Sequence, residues 1–270
     1  MTKRSTTLLS IAAFGYAFLY LPIVSVVVYS FNDSRLVTLW GGFSLRWYRG
    51  LLESEEILAS AMLSLQIAVV SATVATALGT LTGLALSRLG RFRGRMLMTG
   101  MITAPLVMPE IITGISLLFL FISLAEWIGW PASRGATTIA IAHITFSMAY
   151  VAVVVRSRLA GMDESLEEAA MDLGGRPLQV FFDITVPSIA PAMISGWLLA
   201  FTLSLDDVVI ASFVSGPGAT TLPMLIFSKV RLGVTPDINA LATVIIAFVS
   251  IGVISAALLT RQKPDIPAKG

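Results

Sequence analysis

Three carboxylates stand where an apolar chain has least reason to keep them. Glu110 lies within APLVMPEIITG, and Asp206 and Asp207 lie side by side within FTLSLDDVVIASF. A central Asp in a membrane-spanning helix costs about 2.5–3.5 kcal/mol on insertion scales, so each acid needs a compensating role. Two roles would serve: bridging helices by hydrogen bonds, or holding a cation on its way through. No Lys or Arg shares these stretches, which favours a cationic cargo. Neighbouring helix positions point about 100° apart, so only one of Asp206 and Asp207 can face a passage squarely. The other is left to lock helices together. Catalysis has no comparable support. His143 is the only histidine and reads as an interhelical hydrogen-bonding group rather than a ligand. There is no cysteine, no H-E-x-x-H, no G-x-S-x-G and no G-x-x-x-x-G-K-[ST]. The sequence therefore offers no catalytic residue, no metal site, no cofactor site and no means of cradling ATP phosphates.

The elements that must carry these acids are membrane spans. At 56% hydrophobic and 13% charged, the composition is that of a chain dissolved in lipid. The small net charge of +2 gives no nucleic-acid surface. Apolar stretches at 8–31, 60–86, 97–124, 136–155, 188–213 and 238–260 are each long enough for a helix to cross the roughly 30 Å hydrocarbon core. The first exceeds a signal-peptide core and has no small-x-small site after it, so it is read as a retained helix. The expected architecture is an all-α membrane protein, a single transmembrane domain over 1–270 with six spans. Lys3, Arg88, Arg91, Arg156, Arg176, Arg261 and their basic neighbours then fall on one side, which the positive-inside rule makes cytoplasmic together with both termini. A seventh span within 184–228 would move the C-terminal cations outside and weaken that asymmetry. The outer loops are 32–57, with Trp40, Trp47 and Tyr48 suited to an interfacial belt or a docking surface, and 215–231, with a short amphipathic helix near 222–231.

Between the fourth and fifth spans runs MDESLEEAAMDLGGRPLQVFFDITVP, residues 162–187. Ser165 followed by Glu168 fits a capping box. Gly174 or Gly175 supplies a left-handed stop, and Pro177 prevents continuation. Leu166, Ala169, Ala170 and Leu173 fall on one face of a helix of about two turns, too short to persist uncovered in water. Its polar face is acidic, unlike that of a helix lying on lipid, which points to a protein groove as the cover.

Glu168-Ala169-Ala170, three residues, Gly174, nine residues, then Ile184-Thr185-Val186-Pro187 resembles the EAA loop of ABC-importer permeases, with Val186 where Leu is usual. The resemblance implies a type I importer permease fold. It also implies that Glu168, Ala169, Ala170, Gly174 and Pro187 form a coupling helix seated on a separate ATPase subunit. Glu168 is either an intrahelical cap or a partner for a cation of the ATPase. The stretches around Glu110 and Asp206, and the early SFNDSRLVTLWGGFSLRWY, are similar to the second inner-membrane permease of bacterial polyamine importers, nearest to the putrescine branch. That family implies a sister permease, two ATPase copies, a periplasmic polyamine-binding protein and a lipid surround. It also implies a passage lined by acids and aromatics, here Glu110, Tyr150 and Asp206, with Asp207 in reserve. Tyr150 reads equally well as packing filler. The alternatives are a permease for spermidine or another small cationic or polar solute, and an ion-coupled secondary transporter, which would leave the coupling loop unexplained.

Overall fold

A computed structural model describes residues 3–36, 39–233 and 235–259. Among them the chain is helical apart from connections and one isolated antiparallel bridge, Asn32 to Phe43. Five helical segments are long and apolar enough to cross a membrane: Thr7–Tyr29, Glu55–Arg88, Glu110–Ile128, Ala136–Ala160 and Pro177–Asp206. A further helix, Pro236–Leu259, runs 24 residues, about 36 Å at the α-helical rise. The last residue of the sixth expected stretch, and Arg261, Lys263 and Lys269, lie outside the described residues.

The contacts divide the chain into two units. The first joins the chain ends, 1–58 and 228–270. Here α1 (Lys3–Tyr29) and α2 (Arg46–Glu53) pack on α12 (Pro236–Leu259). Asn32 organises the loop between α1 and α2. It is fully buried; its amide donates to the Leu39 carbonyl at 2.7 Å and its side-chain oxygen accepts from the Gly41 N–H at 2.7 Å. Trp47 donates to the Asn32 carbonyl, Tyr48 bonds Ser30, and Phe31 lies between Phe43 and Tyr48. Of the aromatics assigned to a belt or docking surface, Trp40 is exposed, whereas Trp47 and Tyr48 are half-buried anchors of the loop itself.

The second unit, 59–227, is built around α6 (Ala136–Ala160). Helix α3 (Glu55–Arg88) meets it through a stripe of small residues, Ala68, Ala72, Ala75, Gly79 and Gly83, which lets two backbones approach closely. A Cβ on Gly79 would lie 2.7 Å from that of Val151 and 2.8 Å from the Met148 carbonyl oxygen. A Cβ on Gly196 of α9 (Val186–Asp206) would sit 3.2 Å from Val151 Cγ1, a methyl that would also lie 2.9 Å from a Cβ on Gly79. Val151 is thus wedged against two glycines of two helices.

Two of the expected stretches are broken, the third where Pro105 and Pro109 in the sequence allow a helix to break. The third, 97–124, is α4 (Arg95–Val107) followed by α5 (Glu110–Ile128). Pro105 sits inside the last turns of α4 without ending it; Pro109 ends it by forcing Met108 into an extended conformation, φ −74° and ψ 138°. The fifth, 188–213, stops at Asp206 and resumes as α10 (Val209–Val214). Its start also differs. Helix begins at Pro177 as α8 (Pro177–Val180), passes through a π turn, Phe181–Thr185, and enters α9 without interruption, so the connecting loop is shorter than 162–187. The π turn lies just ahead of Pro187, which has no N–H to contribute to the ladder.

Candidate functional site

The break between α9 and α10 contains neither glycine nor proline; Asp207 and Val208 make it up, between Asp206 and Val209. Side chains create it instead. Asp207 is extended, φ −68° and ψ 126°, and its carboxylate accepts from the N–H of Ile210 at 3.1 Å and of Ala211 at 2.7 Å. These are first-turn donors of α10 that would otherwise lack partners. His143 of α6 completes the arrangement, with Nε2 3.0 Å from Asp207 Oδ2 and Nδ1 2.6 Å from the Ser204 hydroxyl. The His143 and Asp207 side chains are only 3% and 8% exposed, so this polar network is sealed from its surroundings. Asp207 is therefore the acid that locks helices, and Asp206 is the exposed one.

Glu110 opens α5 directly after the other break. It is exposed, in the first turn of its helix, where the macrodipole favours a negative charge. The two breaks lie side by side. A Cβ on Gly114 of α5 would meet the Phe213 ring of α10 at 2.7 Å and the Ile210 Cα at 3.4 Å. Both helices run toward the segment 128–138, where Arg134 donates to the Phe213 carbonyl and Thr138 to that of Val214. They are therefore parallel, and Glu110 and Asp206 both precede the place where the two helices cross. Among the described residues neither acid pairs with a Lys or Arg. Tyr150 lies two turns along α6 from His143, half-buried, with its ring 5.1 Å from that of Phe146. It packs on the cluster around Ile139 and Phe146.

At the other end of the unit, α7 (Ser165–Asp172) forms as the spacing requires, but its ends are made differently at the start. The expected capping box of Ser165 and Glu168 is absent. Asp163, two residues earlier, accepts from the Ser165 N–H at 3.0 Å, so Ser165 is inside the helix and Glu168 has no capping role. That bond and one from the Ser165 hydroxyl hold the Asp163 carboxyl below its ordinary pKa. The C-terminal stop matches expectation in detail. Gly174 has φ +90°, its N–H donates to the Met171 carbonyl at 2.9 Å, and the Gly175 N–H reaches the Ala170 carbonyl at 3.0 Å, the paired bonds of a Schellman motif.

Glu168 and Ala169 are exposed, Ala170 is half-buried, and Leu173 is 90% exposed, leaving an apolar face uncovered. What holds the helix in place was not recognised in the sequence. Arg88, at the end of α3, reaches Glu164 at 2.6 Å and Glu167 at 3.1 Å, and Glu167 also accepts from the Thr185 hydroxyl at 2.8 Å. One cation thus gathers α3, α7 and the π turn. The signal was the spacing of Glu164 and Glu167, three apart on one helical face. Their partner, some 76 residues away, carried none.

With this geometry in view, the sequence matches the family described as binding-protein-dependent transport system inner membrane component over residues 75–266. It is 60% identical over 261 residues to the putrescine transport system permease protein PotI of Escherichia coli K12, covering 96% of this chain and 93% of that one. Identity to the spermidine/putrescine transport system permease protein PotC of the same organism is 43% over 248 residues, with 92% and 91% covered. Among solved structures, a chain of a bacterial ABC transporter involved in the import of alginate superposes with a TM-score of 0.71 at 16% identity, over 97% of this chain and 99% of that one.

Proposed function

The chain belongs to the family of binding-protein-dependent transport system inner membrane components, and on that premise we propose that it forms part of the passage by which an ATP-driven importer moves putrescine across the bacterial inner membrane. Its fold is that of a type I importer permease. The assignment of putrescine ahead of spermidine follows the greater identity to PotI than to PotC. A sister permease, two copies of an ATPase and a periplasmic binding protein complete the complex. Both termini and the α7 loop face the cytoplasm, and α7 docks on the ATPase through Ala169, Ala170 and Leu173, with Glu168 offered to a cation of that subunit.

The observation that carries the cargo is that each helix break has an exposed acid beside it, Glu110 and Asp206. Glu110 opens α5 directly after one break and Asp206 stands directly before the other, and each is exposed without a cationic partner among the described residues. Asp206 is also the last residue of α9, where the terminal carbonyls add negative partial charge. A carboxylate there is poorly placed unless a cation visits it. A diamine carries two ammonium groups and meets two acids; Tyr150 adds an aromatic surface whose attraction for an ammonium is about 0.5–2 kcal/mol.

The test is uptake of labelled putrescine, with spermidine in competition, by the whole complex carrying Asp206→Asn or Glu110→Gln. The amides keep shape and hydrogen-bonding capacity but delete the charge. If the acids only bridge helices, uptake persists, since such bonds average about 0.6 kcal/mol. If they balance a dication removed from water, uptake falls by orders of magnitude while protein level and basal ATP hydrolysis hold. Near-normal uptake by both variants would remove the cation-passage assignment and leave family membership intact.

A further inference from the structure

The passage reading uses Asp206 and Glu110 and leaves unexplained why the chain keeps its one histidine buried in the middle of α6. We propose that His143 is a positioning residue of the passage: by holding Asp207 in the break between α9 and α10, it fixes where the neighbouring carboxylate of Asp206 is presented to the cargo. The inference rests on the reading of Asp206 as a cargo-facing group.

The break lacks any residue that would impose a helix end by itself. Val209 flanks it on one side and Asp206 on the other, with no Gly or Pro between them. Nothing in the local backbone stops α9 from running on through Asp206 into α10. The extended conformation of Asp207 is held by three bonds to its carboxylate, two from the N–H groups that open α10 and one from His143. His143 is only 2% exposed and both its nitrogens are engaged. An imidazole whose Nε2–H donates to Asp207 leaves Nδ1 to accept from the Ser204 hydroxyl, so one ring ties the last turn of α9 to the first turn of α10. Asp206 lies between those two tethers. If the ring is lost, Asp207 can join the α9 ladder, and the extended residue that lets the chain change direction directly after Asp206 disappears. The end of α9, Asp206 with it, is then aimed differently toward α10 and α5, without touching the α7 loop.

The experiment uses the assembled four-subunit importer in proteoliposomes with its loaded binding protein, and reads putrescine moved per ATP hydrolysed. His143→Leu is expected to lower that ratio by about tenfold or more, as for loss of one well-placed charge contact. His143→Gln, which retains a donor and an acceptor at similar reach, is expected to restore most of it. In an Asp206→Asn background, His143→Leu should add no further loss, because its effect is exerted through Asp206. If His143→Leu reduces the amount of assembled complex, Ser204→Ala, which removes only the hydroxyl on Nδ1, carries the same comparison. A ratio unchanged by His143→Leu or Ser204→Ala overturns the proposal. So do uptake and hydrolysis falling in proportion, and losses that multiply in the double variant. Failure of the underlying reading is distinct: Asp206→Asn alone would then transport normally.

Discussion

Two adjacent glycines close the α7 helix for different physical reasons, and that difference can be measured. At Gly174 an added Cβ meets nothing within 4 Å, so space is not the constraint; φ is +90°, which is. A left-handed conformation costs an L-residue roughly 1–2 kcal/mol, and a β-branched side chain stands at the upper end. At Gly175 the backbone is unremarkable but a Cβ would lie 2.8 Å from the Ala170 carbonyl oxygen, the acceptor of the Gly175 N–H itself. Clearing that contact loosens a bond worth about 0.5–1.5 kcal/mol. Suppose the strained loop relaxes while free and must recover its shape to dock. The whole cost then appears in association with the ATPase, and 1–2 kcal/mol becomes about 5–30-fold weaker binding. The assay is titration of the purified ATPase subunit onto the permease pair in nanodiscs, with insertion checked separately. Gly174→Val and Gly175→Ala should both weaken binding. Gly174→Asn should recover most of the affinity, since Asn tolerates the left-handed region, whereas Gly175→Asn should not. Equal binding by Gly174→Val and Gly174→Asn would refute the conformational account.

Arg88→Gln and Glu167→Gln should each uncouple ATP hydrolysis from uptake, and the double variant should lose less than the combined single effects, because the two groups are one another's partners at 3.1 Å; additive losses would argue against the clamp. Tags at both termini and at Arg91 should report the cytoplasm, and tags near Glu53 and Gly218 the outside; an external C-terminus would sink the six-span topology. For Asp163, the folded pKa lies below the unfolded one, so its help to α7 is fully present above the ordinary carboxylate range and is lost as pH falls through the folded value. Protection of the Ser165 amide, taken relative to its intrinsic exchange rate at each pH, should therefore hold constant at neutral pH and fall only below that range, and Asp163→Ala should remove that fall.

How much of this was legible varies with how local its cause is. The stop at Gly174 follows from three adjacent facts: an apolar face ending at Leu173, two glycines, and a proline at 177. Proline 109 likewise announces the end of α4 within its own neighbourhood. The start of α7 misled because two acceptors compete there, and the Ser165 hydroxyl gave way to a carboxylate two residues upstream. The break after Asp206 could not be read at all from the stretch that contains it. Its determinant, His143, lies 64 residues from Asp207. Sequence reasoning did show that Asp206 and Asp207 must part company, because adjacent positions diverge on any helix; the tertiary partner decided which was buried. Arg88 was visible only as a cytoplasmic cation, since a clamp between distant segments leaves no periodic trace.

The glycines packed against Val151 have a mechanical consequence. With its Cβ within 2.7 Å of where Gly79 would place one, and Cγ1 within 3.2 Å of the same position on Gly196, that side chain works like a dowel shared by three beams. Neither α3 nor α9 has room to slide along α6 without first lifting off it, and close-packed interiors yield in steps rather than by creep. Any push applied to Arg88 at the end of α3 would therefore be shared by all three helices at once, as by one stiff frame. Bending is left to the places where hydrogen-bond ladders are already interrupted, at Met108 and Asp207. Enlarging either glycine should jam the frame rather than soften it.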